Sequence, residues 1–299
     1  MSLPPLTLDM TPHELASEVS SLFSLPDLVI RACTVMELPT ASAQDLIEVI
    51  ELDANLTATV LKLANSALYG SRGKVETLTR AVALIGHNAM RDLVLATAAV
   101  NTFRDIPAEF VDMDTFWDNS ATSAVLARLI ADRLRMRDAE SLFLAGLLLG
   151  VGRLVFYVRR PAQYREALQH AQQNEISLTD AECLVFGFSH AELGAALLES
   201  WGLPEKLTLT VRHQLDPAAT PDFAKEVAVI HLAGDLAANL APCLKTEYEP
   251  ETYRPDSRAT DSMQLLGLSL ATLKEISLEG QVASLEISEI LHPCTSVTY

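Results

Sequence analysis

Helix-start patterns recur along this chain of 299 residues, and they constrain its fold more than any other feature of the sequence. Thr11-Pro12-His13-Glu14 combines a capping residue, a proline at the first helical position and a glutamate three residues after the cap. Three further pairs have the same spacing: Ser42 with Asp45, Thr179 with Glu182, and Ser189 with Glu192. Convincing alternation of apolar and polar residues is absent, so the sequence predicts an all-α protein of roughly a dozen helices.

The hydropathy of the chain raises the question of a membrane protein. Hydrophobic residues make up 49% of the chain and the mean hydropathy is +0.21, a composition that excludes intrinsic disorder. The longest apolar run, Leu142 to Val158, is interrupted by Arg153. Its uncharged part, Leu142 to Gly152, is too short for the ~20 helical residues that cross a bilayer. We therefore predict a buried core helix here and no membrane insertion.

Charge and cysteine usage indicate the compartment and the class of partner. The net charge is −17 without a dense run of Lys or Arg, which disfavours nucleic acids and anionic membrane surfaces as partners. Met1 to Met10 lacks the pattern of a secretory signal. The four cysteines have no metal-site or disulfide spacing, as is typical of a reducing cytosol: Cys33, Cys183, Cys243 and Cys294. We expect a cytoplasmic protein.

Two breaks interrupt the predicted helices. Asp105 to Asp114 contains a proline and several acidic residues, and we expect it to join an N-terminal helical lobe (residues 11–105) to a second lobe (residues 106–241). Pro242 to Ser262 holds three prolines and many charges without an apolar period, which predicts a long loop or a mobile connector. The remainder of 242–299 is predicted to be a C-terminal helical tail that docks on the body.

The common phosphate-loop, metalloprotease and nucleophile motifs are missing, so candidate sites rest on single polar residues. His190 would follow a cap and is expected to be partly exposed, and His213 is expected in the middle of a helix. Asp235 interrupts an apolar helix and needs a partner, for which an intramolecular group is the simpler interpretation. Asn65 and Ser66 are expected to satisfy backbone groups or to bridge helices, with a ligand or partner contact as the alternative. Composition and spacing alone link none of these residues into a site.

Six motifs follow one another in one order along the chain. They are Leu63–Gly70 (LANSALYG), Ala81–Gly86 (AVALIG), Phe116–Ser120 (FWDNS), Phe143–Leu148 (FLAGLL), Phe188–Gly194 (FSHAELG) and Trp201–Pro204 (WGLP). In this combination the chain resembles the HDOD domain, the HD-related output domain of bacterial signalling proteins, from about Leu22 to Leu240. The resemblance implies a two-lobed helical bundle whose C-terminal lobe is related to the HD-type metal-dependent phosphohydrolases.

The resemblance also implies where a metal site would lie. Enzymes of that superfamily hold one or two divalent metals on a histidine, a His-Asp doublet and a later aspartate, and the metals activate water and neutralise phosphate. In this chain the doublet falls on Leu149-Gly150 and the earlier histidine on Asn119. His190, His213 and Asp235 match positions where the family often has His, His and Asp. We therefore expect a vestigial pocket of these six residues, no catalytic residue and no cofactor, with weak binding of a single divalent metal left open.

The resemblance and the lost doublet together predict a pseudo-enzyme. Its function would be that of a non-catalytic bacterial regulatory module, similar to a response-regulator output domain, that acts on a protein partner of its signalling pathway. The ten residues before Thr11 leave no room for a receiver domain, so we expect a stand-alone module or an adaptor in trans. One alternative is a metal-dependent phosphohydrolase or phosphodiesterase with a site rearranged around His190, His213 and Asp235. Another is a small-molecule or nucleotide sensor, and homo-oligomerisation is open.

Overall fold

A computed structural model of the chain describes residues 10–20, 22–37, 42–70, 73–104, 106–107, 111–240 and 253–293. Within these ranges the chain forms α-helices, three short 3₁₀ turns and no strand, which confirms the all-α prediction. In chain order the helices are α1 (Pro12–Val19), α2 (Asp27–Glu37), α3 (Ala43–Ile50), α4 (Ala54–Asn65), α5 (Leu78–Ile85), α6 (His87–Thr102), α7 (Met113–Arg133), α8 (Ala139–Leu148), α9 (Val151–Arg159), α10 (Pro161–Asn174), α11 (Leu178–Phe186), α12 (His190–Ser200), α13 (Glu205–Arg212), α14 (Ala224–Leu240), α15 (Ser257–Leu266) and α16 (Leu270–Leu291). The 3₁₀ turns are Ala67–Tyr69, Pro217–Ala219 and Pro221–Phe223.

Three of the four predicted capping boxes form as expected, at Thr11, Ser42 and Ser189. The pairing of Thr179 with Glu182 is wrong, because α11 begins after Ser177, whose hydroxyl accepts the backbone N–H of Asp180. The earlier start places Glu182 beyond the first turn of the helix, where it is completely buried. It is therefore available for an interaction in the interior.

The longest described helix of the second predicted lobe, α7, lies at the centre of the fold. It packs against α8, α14 and α16. The contact with α8 is close because Gly146 has no side chain: a Cβ at this position would lie 2.7 Å from the backbone oxygen of Ser123. Such a distance between backbones would force the two helices apart. Gly146 thus sets the spacing of the helices that surround the candidate site.

The two tryptophans lie against the same phenylalanine. Trp117, in α7, is almost completely buried, and its ring centroid is 6.4 Å from that of Phe103. Trp201, which follows α12, has its ring 5.9 Å from Phe103, and its Nε1–H donates to the backbone oxygen of Phe23 at 2.7 Å. These contacts join residues on both sides of the lobe boundary predicted between 105 and 106. The boundary itself stays a prediction.

The apolar run Leu142 to Val158 forms two helices, and the break between them falls inside the core helix predicted for Leu142 to Gly152. α8 ends at Leu148, and Leu149 and Gly150 form a turn before α9 begins. Glycine has a low helix propensity, which favours a break at this point. Ala139–Arg159 has the length and hydropathy of a membrane span, but 67% of its apolar window is buried inside the fold. The segment therefore lies in the core of the fold, as predicted.

The C-terminal tail packs on the body, α15 against α14 and α16 against α7 and α4. The predicted connector, Pro242 to Ser262, is helical at its end, because α15 begins at Ser257. Asp256 caps this helix by accepting the backbone N–H of Ala259, and the buried face of α15 consists of Ala259, Ser262 and Leu266. The loop prediction is wrong for these residues, since such a small and partly polar face has a weak hydropathy signal. Residues 242–252 lie outside the described ranges.

Candidate functional site

A cavity of about 640 Å³ lies between α7, α9, α12 and α14. Five of the six residues predicted for the pocket line it: Asn119, Leu149, Gly150, His190 and Asp235. The sixth, His213, is not among the lining residues. The prediction of a mid-helix position for it is wrong, because α13 ends at Arg212 and His213 is the C-cap. Gln214 and His231 line the cavity instead.

The position of the doublet offers no ligand atom to the cavity. The side chain of Leu149 faces α14, where a Cβ added at Gly234 would lie 3.2 Å from Leu149 Cδ1. A Cβ added at Gly150 would lie 2.9 Å from a ring carbon of Phe116. The space beside Gly150 is therefore filled by an aromatic ring, and a side chain at this position would require the ring to move.

His190 is buried, with 2% of its surface exposed, although the sequence predicts a partly exposed first-turn residue. The cause is the close contact of α12 with α9. A Cβ added at Gly152 would overlap the carbonyl oxygen of His190 and lie 2.7 Å from the backbone nitrogen of Gly194. The start of α12 is thus pressed against α9, which removes the histidine from solvent.

The imidazole of His190 lies between a carboxylate and a guanidinium group. Its Nδ1 is 2.6 Å from Oε2 of Glu182, and the same oxygen accepts the backbone N–H of His190 at 2.9 Å. Its Nε2 is 3.3 Å from Nη2 of Arg153. The hydroxyl of Tyr164 donates to the other carboxylate oxygen of Glu182 at 3.0 Å. Both ring nitrogens of His190 therefore have a protein partner.

These partners determine the protonation state of His190. An arginine side chain only donates hydrogen bonds, so Nε2 must be the acceptor and the proton is on Nδ1, which donates to Glu182. Burial, together with the charge of Arg153, lowers the pKa of His190, which keeps the ring neutral. Burial alone would raise the pKa of Glu182, but the hydrogen bonds from His190 and the charge of Arg153 hold it below its usual value.

On the other side of the cavity, Asp235 has an intramolecular partner. The hydroxyl of Tyr253 donates to Oδ2 of Asp235 at 2.5 Å, and burial raises the pKa of this carboxyl group. His231 donates from Nδ1 to the backbone oxygen of Gln214 at 2.9 Å. Its Nε2 has no hydrogen-bond partner within the described part of the chain. Asp235 and His231 therefore line the cavity as separate polar groups and do not form a cluster of ligands.

The cavity does not fit the divalent metals of the HD-type enzymes. Leu149 and Gly150 have no ligand atoms in their side chains, and the Nε2 lone pair of His190 accepts a hydrogen bond from Arg153. Among the residues that the structure describes, no group of three or more His, Cys, Asp or Glu side chains could hold a metal ion.

Asn65 and Ser66 lie outside this cavity and bond to the backbone. Asn65 Oδ1 accepts the N–H of Val75 at 2.7 Å, while its Nδ2 donates to the backbone oxygens of Val75 and Leu61 at 2.8 and 2.7 Å. Ser66 donates to the oxygen of Leu63 at 2.7 Å. These bonds hold the segment around Val75 against the end of α4.

Sequence reasoning missed the two residues that engage His190. It treated Arg153 only as an interruption of an apolar run, and Glu182 only as a capping residue. A signal for Glu182 was present, because the residue lies at helical spacing with the buried Val185 and Phe186 in α11. A carboxylate on a buried face needs a partner of its own.

Comparisons with known proteins are consistent with this architecture. A family model described as the HDOD domain matches residues 22–217. A curated protein of Treponema pallidum (strain Nichols) is 23% identical over 224 residues, an alignment that covers 73% of this chain and 42% of that protein. The chain therefore spans less than half the length of the curated relative it matches.

Solved structures resemble the chain over nearly its whole length. The crystal structure of a candidate phosphohydrolase from Shewanella amazonensis SB2B has a TM-score of 0.72 at 26% identity, covering 93% of this chain and 97% of that one. An HDOD domain protein of unknown function from Geobacter sulfurreducens has a TM-score of 0.69 at 25% identity, with coverages of 95% and 98%. A candidate signal transduction protein from Marinobacter aquaeolei VT8 shares the fold, with a TM-score of 0.65 at 21% identity and coverages of 96% and 68%.

Proposed function

The chain belongs to the HDOD domain family, and from this premise we propose that it is a non-catalytic module of a bacterial signalling pathway that acts through contacts with a partner protein. The proposal includes no cofactor and no catalytic residue. One observation supports it: the imidazole of His190, at a position that the resemblance assigns to a metal ligand, is held between Glu182 and Arg153.

The charge of Arg153 opposes a metal ion at His190. To coordinate through Nε2, the ring would have to lose its hydrogen bond from Arg153, and the ion would lie beside a guanidinium group. Two like unit charges about 4 Å apart repel by roughly 4 kcal/mol at the effective dielectric constant near a protein surface, and a divalent ion doubles that energy. With no ligands at Leu149-Gly150, little coordination energy is available to offset this cost.

The cavity favours a second candidate, a small-molecule sensor. A volume of about 640 Å³ is typical of ligand pockets, and His231 contributes a ring nitrogen without a partner in the described residues. The phosphohydrolase alternative rests on the resemblance to the HD-type enzymes, and the fold is shared with a candidate phosphohydrolase from Shewanella amazonensis. The ligand set among the described residues of this chain does not favour it.

Metal content and turnover test the proposal directly. The purified chain is equilibrated with Mn²⁺, Fe²⁺ or Zn²⁺, freed of unbound ions, and measured by elemental mass spectrometry and with a panel of phosphoesters. We expect far less than one ion per chain and no turnover above the buffer. A stoichiometric ion and a turnover that are both lost in His190→Ala and in Asp235→Ala, but kept in the control Asn101→Ala on the exposed side of α6, would refute the proposal.

The same preparation tests the sensor. Thermal unfolding is recorded with and without nucleotides and other phosphorylated metabolites. A saturable rise in the unfolding temperature that disappears in a variant with a filled cavity, Gly234→Leu, would favour the sensor, provided that this variant alone unfolds cooperatively.

A further inference from the structure

One face of α16 carries an apolar stripe that the fold leaves open to solvent. Leu278, Val282 and Leu285 are exposed by 52%, 70% and 44% of their surface. Their spacing of four and then three residues places them on one side of the helix, one turn after another. Scattered apolar residues are common on protein surfaces, but a continuous stripe along a helix is typical of an interaction site.

The opposite face of α16 is held firmly against the body. A Cβ added at Gly280 would lie 2.8 Å from Cδ2 of Leu126 in α7, so the two helices are in close contact. Ser288 donates to Asp118 of α7 at 2.5 Å, and Glu286 accepts the backbone N–H of Ala67 at 2.8 Å. Because these contacts prevent the helix from rotating, the stripe cannot turn inward and is preorganised for a partner.

Carboxylates border the stripe along its whole length. The helix contains four glutamates and a single lysine, Lys274. Glu275 lies three residues before Leu278, and Glu289 lies four residues after Leu285, so both are on the same side of the helix as the stripe. Glu279 directly follows Leu278 in the sequence. Glu275 is 3.2 Å from Arg133, a pair in which both side chains are well exposed. The face is therefore apolar at its centre and acidic beside Leu278 and at the Glu289 end, whereas Arg133 offsets the charge of Glu275 at the other end.

We propose that the α16 stripe, Leu278, Val282 and Leu285, docks an amphipathic helix of a partner protein whose apolar seam is bordered by lysine or arginine. The proposal rests on the proposed function, since it names the surface through which a non-catalytic module meets its partner. Charge complementarity selects this occupant. A second copy of the chain would bring a like set of glutamates, and its net charge is also −17.

A defined peptide probe tests this surface on the full chain. The probe is a synthetic amphipathic helix of leucine and lysine with a fluorescent label. Its controls are a scrambled peptide of the same composition and a peptide with glutamate in place of lysine. Anisotropy titrations at about 0.15 M salt limit contributions from distant charges, since the screening length there is only about 8 Å. We expect the amphipathic probe to bind at least about tenfold more tightly than either control.

Variants then place the probe on the stripe. Leu278→Ser with Val282→Ser is expected to weaken binding about tenfold or more, because each side chain loses apolar area that the probe would cover. Glu279→Gln with Glu289→Gln is expected to weaken it severalfold and to flatten its salt dependence. Leu52→Ser is the matched control, at an apolar residue that is 67% exposed elsewhere, and should leave binding unchanged.

Two results would overturn the proposal. The first is equal binding of the probe to the stripe variant and to the Leu52→Ser control, or no binding at all. The second is a dimer, measured by sedimentation, that Val282→Ser converts to a monomer, because the stripe would then belong to a second copy. Neither result changes the metal content of the chain, so a failed docking surface is distinguishable from a failed proposal of function.

Discussion

Replacing Gly152 by alanine should destabilise the protein, although the same change in a helix interior normally stabilises it. Alanine is favoured over glycine within helices by roughly 0.5–1 kcal/mol. At Gly152 the added Cβ would overlap the carbonyl oxygen of His190 and lie 2.7 Å from the backbone nitrogen of Gly194. Both atoms belong to the backbone of α12, so no side chain can move aside, and α9 must separate from α12.

The cost follows from overpacking. Extra atoms in a closely packed interior cost typically about 1–3 kcal/mol, and we expect the upper part of this range because rigid helices must move. After the gain in helix propensity is subtracted, the free energy of unfolding should fall by about 1–2.5 kcal/mol. For a chain of this size that corresponds to a fall in the unfolding temperature of roughly 2–4 °C.

Thermal and urea unfolding followed by circular dichroism measure this change, and a matched glycine provides the control. At Gly234, in α14, the added Cβ would lie 3.2 Å from Cδ1 of Leu149, the end of a flexible side chain that can shift. Gly234→Ala should therefore stay within about 1 kcal/mol of the wild type. If Gly152→Ala is as stable as Gly234→Ala, the close contact of α9 with α12, and the explanation given for the burial of His190, are both wrong.

Three further predictions concern polar groups that bond to distant or neighbouring parts of the fold. Glu182→Ala leaves His190 Nδ1–H and Arg153 without their carboxylate and should cost about 3–5 kcal/mol of unfolding free energy in urea, with Glu182→Gln costing less. Because burial lowers the pKa of His190, the unfolded state takes up a proton first as the pH falls through about 6.5. Stability should decline below that pH, and urea midpoints of His190→Asn should lack this part of the slope. Asn65→Ala removes three hydrogen bonds to Val75 and Leu61 and should cost about 1–3 kcal/mol in the same assay, whereas Asn101→Ala should cost almost nothing.

The parts of the fold that the sequence predicted are those decided by neighbouring residues. A capping box needs only a hydroxyl, a carboxylate and three residues of chain, so Thr11, Ser42 and Ser189 could be identified without knowledge of the rest. The same local rule failed at Thr179, because Ser177 offered a second hydroxyl two residues earlier, and spacing does not tell which hydroxyl starts the helix. The first part of α15, up to Ser262, was assigned to the connector because the residues that it buries there, Ala259 and Ser262, are small.

The candidate site depends on contacts between distant segments, and less of it could be predicted. Its six residues came from the resemblance, and five line one cavity. The burial of His190 follows from a glycine in α9, and the partner of Asp235 is Tyr253, beyond the end of α14. α13 ends at Arg212, so His213 is its C-cap, and Gln214 lines the cavity instead. Neither the helix period nor composition contains such information.

Because Trp117 and Trp201 lie around Phe103, the intrinsic tryptophan fluorescence of the chain reports on the packing of this region. The sequence contains two tryptophans, so intrinsic emission comes from indoles that both contact this one ring. Trp117 is shielded from water, whereas Trp201 is partly buried and bonded to Phe23 near the N-terminus. A collisional quencher such as acrylamide would therefore distinguish the two emitters. Loosening between the N-terminal segment and α12 would shift the Trp201 emission to longer wavelength while the Trp117 emission stayed unchanged, so such a movement can be followed without attaching a dye.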